Sequence, residues 1–212
     1  SLNLNELKTM DYLLLGLFWI LWCAIHSGMI CLKVTEYLKL RLGTYFRFYR
    51  LIYNLVAILT IIPVISFGDS IEGSLIFQWK GYLLILQILL LAISIFLFIA
   101  GTKHYDIFQF LGIRQIWTGK SHSVITKGGE LKTDGILSVT RHPWYLAAIL
   151  LIWSREFDLS VLITNIILTL YLIIGTLLEE QKLFYEYGES YRKYQKKVSM
   201  LIPFKFFCPD WN

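Results

Sequence analysis

Apolar residues dominate five stretches of the chain, roughly 12–32, 51–67, 82–101, 143–153 and 159–178, and polar residues collect between them. Most of these runs are long enough to cross a hydrocarbon core of about 30 Å as helices rising 1.5 Å per residue. The fourth is not, since eleven residues rise only about 16 Å. It either turns at the flanking "SREFD" or reaches part of the way, and with 159–178 it reads as a tight helical hairpin. Apolar residues thin out after Leu178, Gly188 is a natural break, and "ESYRKYQKKV" places Tyr191, Tyr194 and Val198 on one helical face. The pattern predicts an all-α integral-membrane protein of about five transmembrane helices, with a C-terminal hairpin and a helical tail. One membrane domain is expected over 1–212, with N-terminal helices in 1–101 and a second half in 102–212.

Composition agrees. Of 212 residues, 56% are hydrophobic and 17% charged, where a soluble domain carries about a quarter charged. The first apolar run is too long for a signal-peptide core and lacks a basic stretch before it, so it is expected to be retained. Three cysteines form no disulfide framework. Cys23 and Cys31 share one run about 12 Å apart along a helix, too far to bridge.

Charge sets the expected orientation. Seventeen of the twenty basic residues fall on three alternate segments, 33–50, 102–142 and the tail 179–212; Lys8, Lys80 and Arg155 are the rest. The positive-inside rule then places the N-terminus outside and the C-terminus in the cytoplasm, with five crossings satisfying the parity. The net charge of +5 reads as this inner-face bias and calls for no nucleic acid. Segment 102–142, which contains "KGGELKTDG", is longer than a bare linker, and such loops are usually functional or disordered.

Two polar features flank the hairpin. Pro143 suits the first turn of a helix, so Arg141 and His142 stand at a helix N-terminus, where free N–H groups and the dipole attract an anion. Taken alone, Arg141 with Trp144 and Tyr145 equally fits an interfacial belt. Glu179 and Glu180 close the last apolar run, where carboxylates oppose the helix dipole. A carboxylate there can take a cofactor's ammonium or ribose hydroxyls, or pair with Arg141. The hairpin returns both features to one face, and such a pair of ends suits a zwitterionic amino-acid headgroup. His26 and Ser27, near the inner end of the first run, either line a pocket or serve their own helix. The four histidines show no metal-ligand spacing.

The stretch "LKTDGILSVTRHPWYLAAIL…EEQKLFYEYGESYRKYQKKVSMLIP" resembles the integral-membrane S-adenosylmethionine methyltransferases, which include isoprenylcysteine carboxyl and phospholipid N-methyltransferases. Their pattern, T-x-G-x-Y, R-H-P-x-Y-x-G, a hairpin, E-E, then G-x-x-Y-x-x-Y, falls here on Thr133, Gly135, Arg141, His142, Pro143, Tyr145, Glu179, Glu180, Gly188, Tyr191 and Tyr194. Leu137 replaces the first tyrosine and Ala147 the last glycine. Gly175 stands where prenylcysteine-type members carry an arginine. Upstream, "AIHSGMICLKV", "RFYRLIYNLVAI" and "FLGIRQIW" are similar to a bacterial branch that includes methanethiol S-methyltransferases.

The resemblance implies an enzyme moving a methyl group from S-adenosylmethionine to a small nucleophile, with S-adenosylhomocysteine as product. A thiol is the first choice of acceptor, a phospholipid or prenylcysteine carboxylate the alternative. A non-catalytic membrane protein binding lipid or a partner is the reading from another class. By carry-over, Leu131, Lys132, Gly135, His142, Tyr145, Leu146 and Glu180 hold the cofactor, and Glu179 lies nearer the acceptor channel. Arg141 or Arg114 supplies the cation that favours a thiolate, and His26 and Gln115 line the acceptor pocket. No metal, nucleic acid or obligate protein partner is expected. The implied location is a bacterial inner membrane with the site on the cytoplasmic face.

Overall fold

The computed structural model describes residues 4–118 and 131–208. The middle of the long connection, with Lys120, His122 and Lys127, lies outside the described residues. The helices are α1 (Leu4–Ile30), α2 (Leu32–Leu42), α3 (Tyr49–Ser70), α4 (Leu83–Thr102), α5 (Ile107–Leu111), α6 (Ile113–Thr118), α7 (Pro143–Trp153), α8 (Leu159–Tyr187), α9 (Glu189–Lys197) and α10 (Phe204–Phe207). Two 3-10 turns, Gly43–Phe48 and Gly135–Ser138, complete the regular structure. Among the described residues there is no strand, and two isolated β-bridges pair Phe77 with Phe157 and Thr140 with Ser199. The protein is an all-α integral-membrane protein. Four helical stretches, Glu6–Ile30, Lys33–Ser70, Leu83–Thr102 and Leu159–Tyr187, are long and apolar enough to cross a membrane, and Pro143–Trp153 is a shorter apolar helix.

One element differs from the sequence reading, and the break expected at Gly188 is where the last long helix ends. Segment 33–50, expected as a connection, is helical: Val34, Leu38 and Leu42 recur at helical spacing, and the first break is Gly43 at φ 52. Helix α8 runs past Leu178 to Tyr187, because nothing in "EEQKLFYEY" resists a helix until Gly188 at φ 54.

The helices gather into two compact units. The first contains α1, α2, α3, α6 and the opening turns of α8. Its core is Leu15, Trp19, Val64 and Ile71, with Ile167 and Leu168 packed against it. Trp19 Nε1 donates to Thr164 Oγ1 at 2.9 Å, and Asp158 Oδ1 accepts the Val161 N–H at 3.0 Å, capping α8. Asn54 Nδ2 and Arg50 Nε both reach the Phe110 carbonyl, at 3.0 and 3.1 Å.

The second unit contains α4, α7, the rest of α8, α9 and α10. Helices α4 and α7 are tied along their length by polar bonds, the middle one fully buried. Gln87 Nε2 donates to Ser154 O at 2.9 Å, Ser94 Oγ to Ala147 O at 2.8 Å, and Trp144 Nε1 to Phe98 O at 3.1 Å. Such bonds matter between membrane helices, where lipid is as apolar as leucine and gives burial no advantage. Gly101 leaves the space that the Trp144 indole fills, and a Cβ there would overlap the ring. Trp153 Nε1 closes the hairpin onto Thr169 Oγ1 at 2.9 Å.

Beyond α9 the chain folds back as a strap along residues 140–142. The Arg141 N–H donates to Ser199 O at 3.0 Å, the His142 N–H to Met200 O at 3.2 Å, and Thr140 Oγ1 to Leu201 O at 2.7 Å. The strap satisfies amides just ahead of α7 that no helical carbonyl could reach.

Candidate functional site

The start of α7 and the late turns of α8 meet through charge. Arg141 presents Nε to Glu180 Oε1 at 2.8 Å and Nη2 to Glu180 Oε2 at 2.7 Å, a two-pronged pairing. His142 Nε2 lies 2.7 Å from Glu180 Oε1, Tyr191 OH donates to the same oxygen at 2.6 Å, and Gln195 Nε2 donates to Oε2 at 2.6 Å. Arg141 Nη1 donates to the carbonyls of Gln195 and Val198. All of these residues except Gln195, which is half-buried, are buried. The Glu180 carboxylate therefore accepts from four side chains at once, and it fastens α7, α8 and α9 together.

Glu179 contrasts with it. Its Oε2 lies 3.6 Å from His142 Nδ1, beyond hydrogen-bonding distance. Both atoms are buried and neither has a hydrogen-bond partner, and the same holds for the Tyr105 hydroxyl. Buried polar atoms without partners each cost about 1–3 kcal/mol, and three of them fall in the second unit. Burial foremost, and then the Glu179 charge, raises the Tyr105 pKa well above the tyrosine range, so its phenol stays protonated. Burial foremost and the bond to Glu180 likewise push Tyr191 upward.

His142 titrates in the accessible range. Burial alone would lower its pKa, but the carboxylates of Glu179 and Glu180 outweigh burial and the net shift is upward. A raised folded-state pKa adds stability that is fully present below the unfolded value of about 6.5, and that is lost as pH climbs through the higher folded value. Thermal melts in detergent are expected to show Tm declining across that upper window, with the decline absent in His142→Gln. A wild-type Tm that holds level there contradicts the assignment.

The other residues expected at the site divide between the two units. In the second unit, the Tyr145 ring stands edge-on to His142, centroids 5.7 Å apart. Leu146 follows one turn into α7, its N–H bonded to His142 O at 3.1 Å. Leu131 packs against the buried cluster of Tyr105, Leu137, Leu183, Tyr191, Tyr194 and Val198, and Lys132 is half-buried. Gly135 takes φ 57 and sits so close to His104 that a Cβ would lie 2.7 Å from Nε2, which explains a glycine at this turn. Leu137, in place of the expected tyrosine, is buried and its carbonyl accepts from Tyr194 OH at 2.5 Å. Gly175 faces the Tyr145 ring, 3.5 Å from where a Cβ would stand.

Arg114, Gln115 and His26 belong to the first unit. Arg114 is exposed and Gln115 buried. His26 stacks on Trp22 with centroids 4.9 Å apart and shares a hydrogen bond with Tyr53 OH. It borders a cavity of about 30 Å³ lined also by Trp22, Met29, Val56 and Thr60. Sequence reading missed Gln195, Tyr105 and His104. Gln195 was within reach, one turn beyond Tyr191 on the face already singled out; nothing in the pattern distinguished Tyr105 or His104.

Comparison with known proteins follows the same line. Residues 12–202 match the family described as NnrU protein. The chain belongs to the NnrU family. Among curated relatives, the methanethiol S-methyltransferase of Pseudomonas deceptionensis is 38% identical over 76 residues, 35% of this chain and 29% of that protein. The enzyme of the same name from Crocosphaera subtropica is 30% identical over 137 residues, 64% of this chain and 49% of its own. That of Mycobacterium tuberculosis is 30% identical over 100 residues, 45% and 39% of the two chains. The chain thus spans about half or less of the length of these relatives. No solved structure gives a significant match.

Proposed function

We propose that this NnrU-family chain is a membrane methyltransferase that transfers a methyl group from S-adenosylmethionine to a small thiol. The observation that carries the reading is its similarity to relatives named methanethiol S-methyltransferase, and the charged end of the hairpin supports it. The donor's chemistry is a methyl group made electrophilic by a sulfonium. The residues fit its amino-acid end: His142 Nδ1, Glu179 Oε2 and Tyr105 OH are buried and without partners. Glu179 takes the ammonium, while Tyr145 packs beside it and the turn at Leu131, Lys132 and Gly135 walls the site, with Leu146 behind.

Glu180 acts differently from a simple ligand, because Arg141, His142, Tyr191 and Gln195 already occupy its oxygens. It holds His142 in place by fixing Nε2, which leaves Nδ1 turned toward Glu179. Arg141 is likewise engaged; by resemblance alone, Arg114 or Arg141 supplies the cation that favours a thiolate, and Gln115 and His26 are acceptor-side residues. The 30 Å³ cavity beside His26 suits a group of one or two heavy atoms, about the space of a single water. Gly175 offers no cation for a carboxylate acceptor. We place the protein in a bacterial inner membrane, with the site on the cytoplasmic face.

The test is methyl transfer by the purified chain from methyl-labelled S-adenosylmethionine to a small alkyl thiol, a prenylcysteine mimic and phosphatidylethanolamine, assayed side by side. Label is expected in the thioether product. Label only in the prenylcysteine or the lipid overturns the choice of acceptor. Absence of label together with no thermal stabilisation by S-adenosylhomocysteine overturns the enzymatic reading.

A further inference from the structure

The short helix α10 (Phe204–Phe207) has no role in the site, yet it is built in an unusual way. Ile202, Phe204, Phe206 and Phe207 are all exposed, Phe207 at 73%, and the Phe206 and Phe207 rings lie edge to face with centroids 5.4 Å apart. The turn is nevertheless firmly held. The Lys205 N–H donates to Ser199 Oγ at 3.0 Å, Lys205 Nζ donates to the Gln195 and Lys196 carbonyls at 3.1 and 3.0 Å, and the Cys208 N–H closes on Phe204 O at 2.8 Å. Bonds of this kind fix three phenylalanines outward beside the end of α9. That end is basic: Lys193, Lys196 and Lys197 are exposed, and none has an ion pair among the described residues. Arg192 alone is paired, with Glu189 at 3.2 Å.

Depth is fixed by the strap. Thr140 Oγ1 holds Leu201 O at 2.7 Å, so the aromatic turn leaves the strap beside the residues from which α7 begins its apolar run. The rings are therefore carried at the level where apolar sequence gives way to polar sequence. Aromatic side chains favour that boundary, and lysines beside it meet anionic headgroups.

We propose that α10 and the basic end of α9 form a foot that binds the anionic lipid surface of the protein's own membrane. The phenylalanines enter the headgroup boundary and Lys193, Lys196 and Lys197 neutralise phosphates above them. Charge complementarity selects a lipid surface as the occupant over a second copy of the chain or a protein partner. The inference is independent of the proposed enzymatic activity.

The experiment uses the full chain in nanodiscs of phosphatidylcholine, with or without phosphatidylglycerol. Cys23 and Cys31 are replaced by serine, and a fluorophore on Cys208 is quenched by brominated phospholipid. Quenching is expected to rise when phosphatidylglycerol is present. Each lysine changed to glutamine is expected to weaken the foot's occupancy of the surface about fivefold, from roughly 1 kcal/mol per basic residue. Phe206→Ser with Phe207→Ser is expected to abolish quenching in both discs. These surface changes leave the buried packing intact, and unchanged melts verify this. Quenching that ignores both phosphatidylglycerol and the lysines overturns the anionic-lipid assignment. No quenching in either disc, or cross-linking at Cys208 into a dimer, overturns the membrane foot itself.

Discussion

Glu180→Ala is expected to lower Tm sharply in detergent and to abolish measurable binding of S-adenosylhomocysteine. Among the described residues the carboxylate is the one anion bonded to Arg141, and both side chains are under a tenth exposed. Removing one partner of a buried pair costs about 3–5 kcal/mol, because the remaining charge stays desolvated. The loss also frees His142 Nε2, Tyr191 OH and Gln195 Nε2 at once, and with them the link from α8 to α9. Glu180→Gln is expected to be nearly as harmful, since an amide N–H2 would face donors. Gln195→Ala removes one neutral donor and is expected to cost about 1 kcal/mol. Melts of the three variants check the order. A Glu180→Ala protein that melts like wild type contradicts the keystone role.

Glu179→Gln is the complementary experiment. Its Oε2 makes no hydrogen bond and its side chain is 24% exposed, so the fold is expected to survive with Tm little changed. Affinity for S-adenosylhomocysteine, measured by calorimetry, is expected to fall about 10- to 100-fold, the worth of one hydrogen bond to a charged group. The neighbouring residues thus separate by effect: position 180 moves stability and binding together, position 179 moves binding alone. Unchanged affinity in Glu179→Gln removes that carboxylate from the donor site.

Much of this arrangement could be read from the sequence. Pro143 marked the first residue of α7, Gly188 the break after α8, and the hairpin between them implied that Arg141 and His142 would come back to Glu179 and Glu180, as they do. The two adjacent glutamates were harder. Helical geometry turns neighbours about 100° apart, so one can face the cluster fully while the other only reaches its edge. Which of them does so depends on where α9 packs, and the pattern carried no register for that. Tyr105 and the strap were illegible for a related reason: both join parts of the chain distant in sequence, Tyr105 by its ring against Trp144 and the strap by backbone carbonyls, with no periodic signature. The helical character of 32–48 was legible in the spacing of Val34, Leu38 and Leu42, but the density of basic residues there argued for a connection.

The partnerless groups His142 Nδ1, Glu179 Oε2 and Tyr105 OH are proposed to hold the amino-acid end of the methyl donor. Calorimetric titration of the purified chain with S-adenosylhomocysteine and with 5′-methylthioadenosine, which lacks that end, tests this role most directly. The account predicts clear binding of the first and much weaker binding of the second, with the gap narrowed in Glu179→Gln. Equal affinity for the two compounds, or none for either, would contradict it.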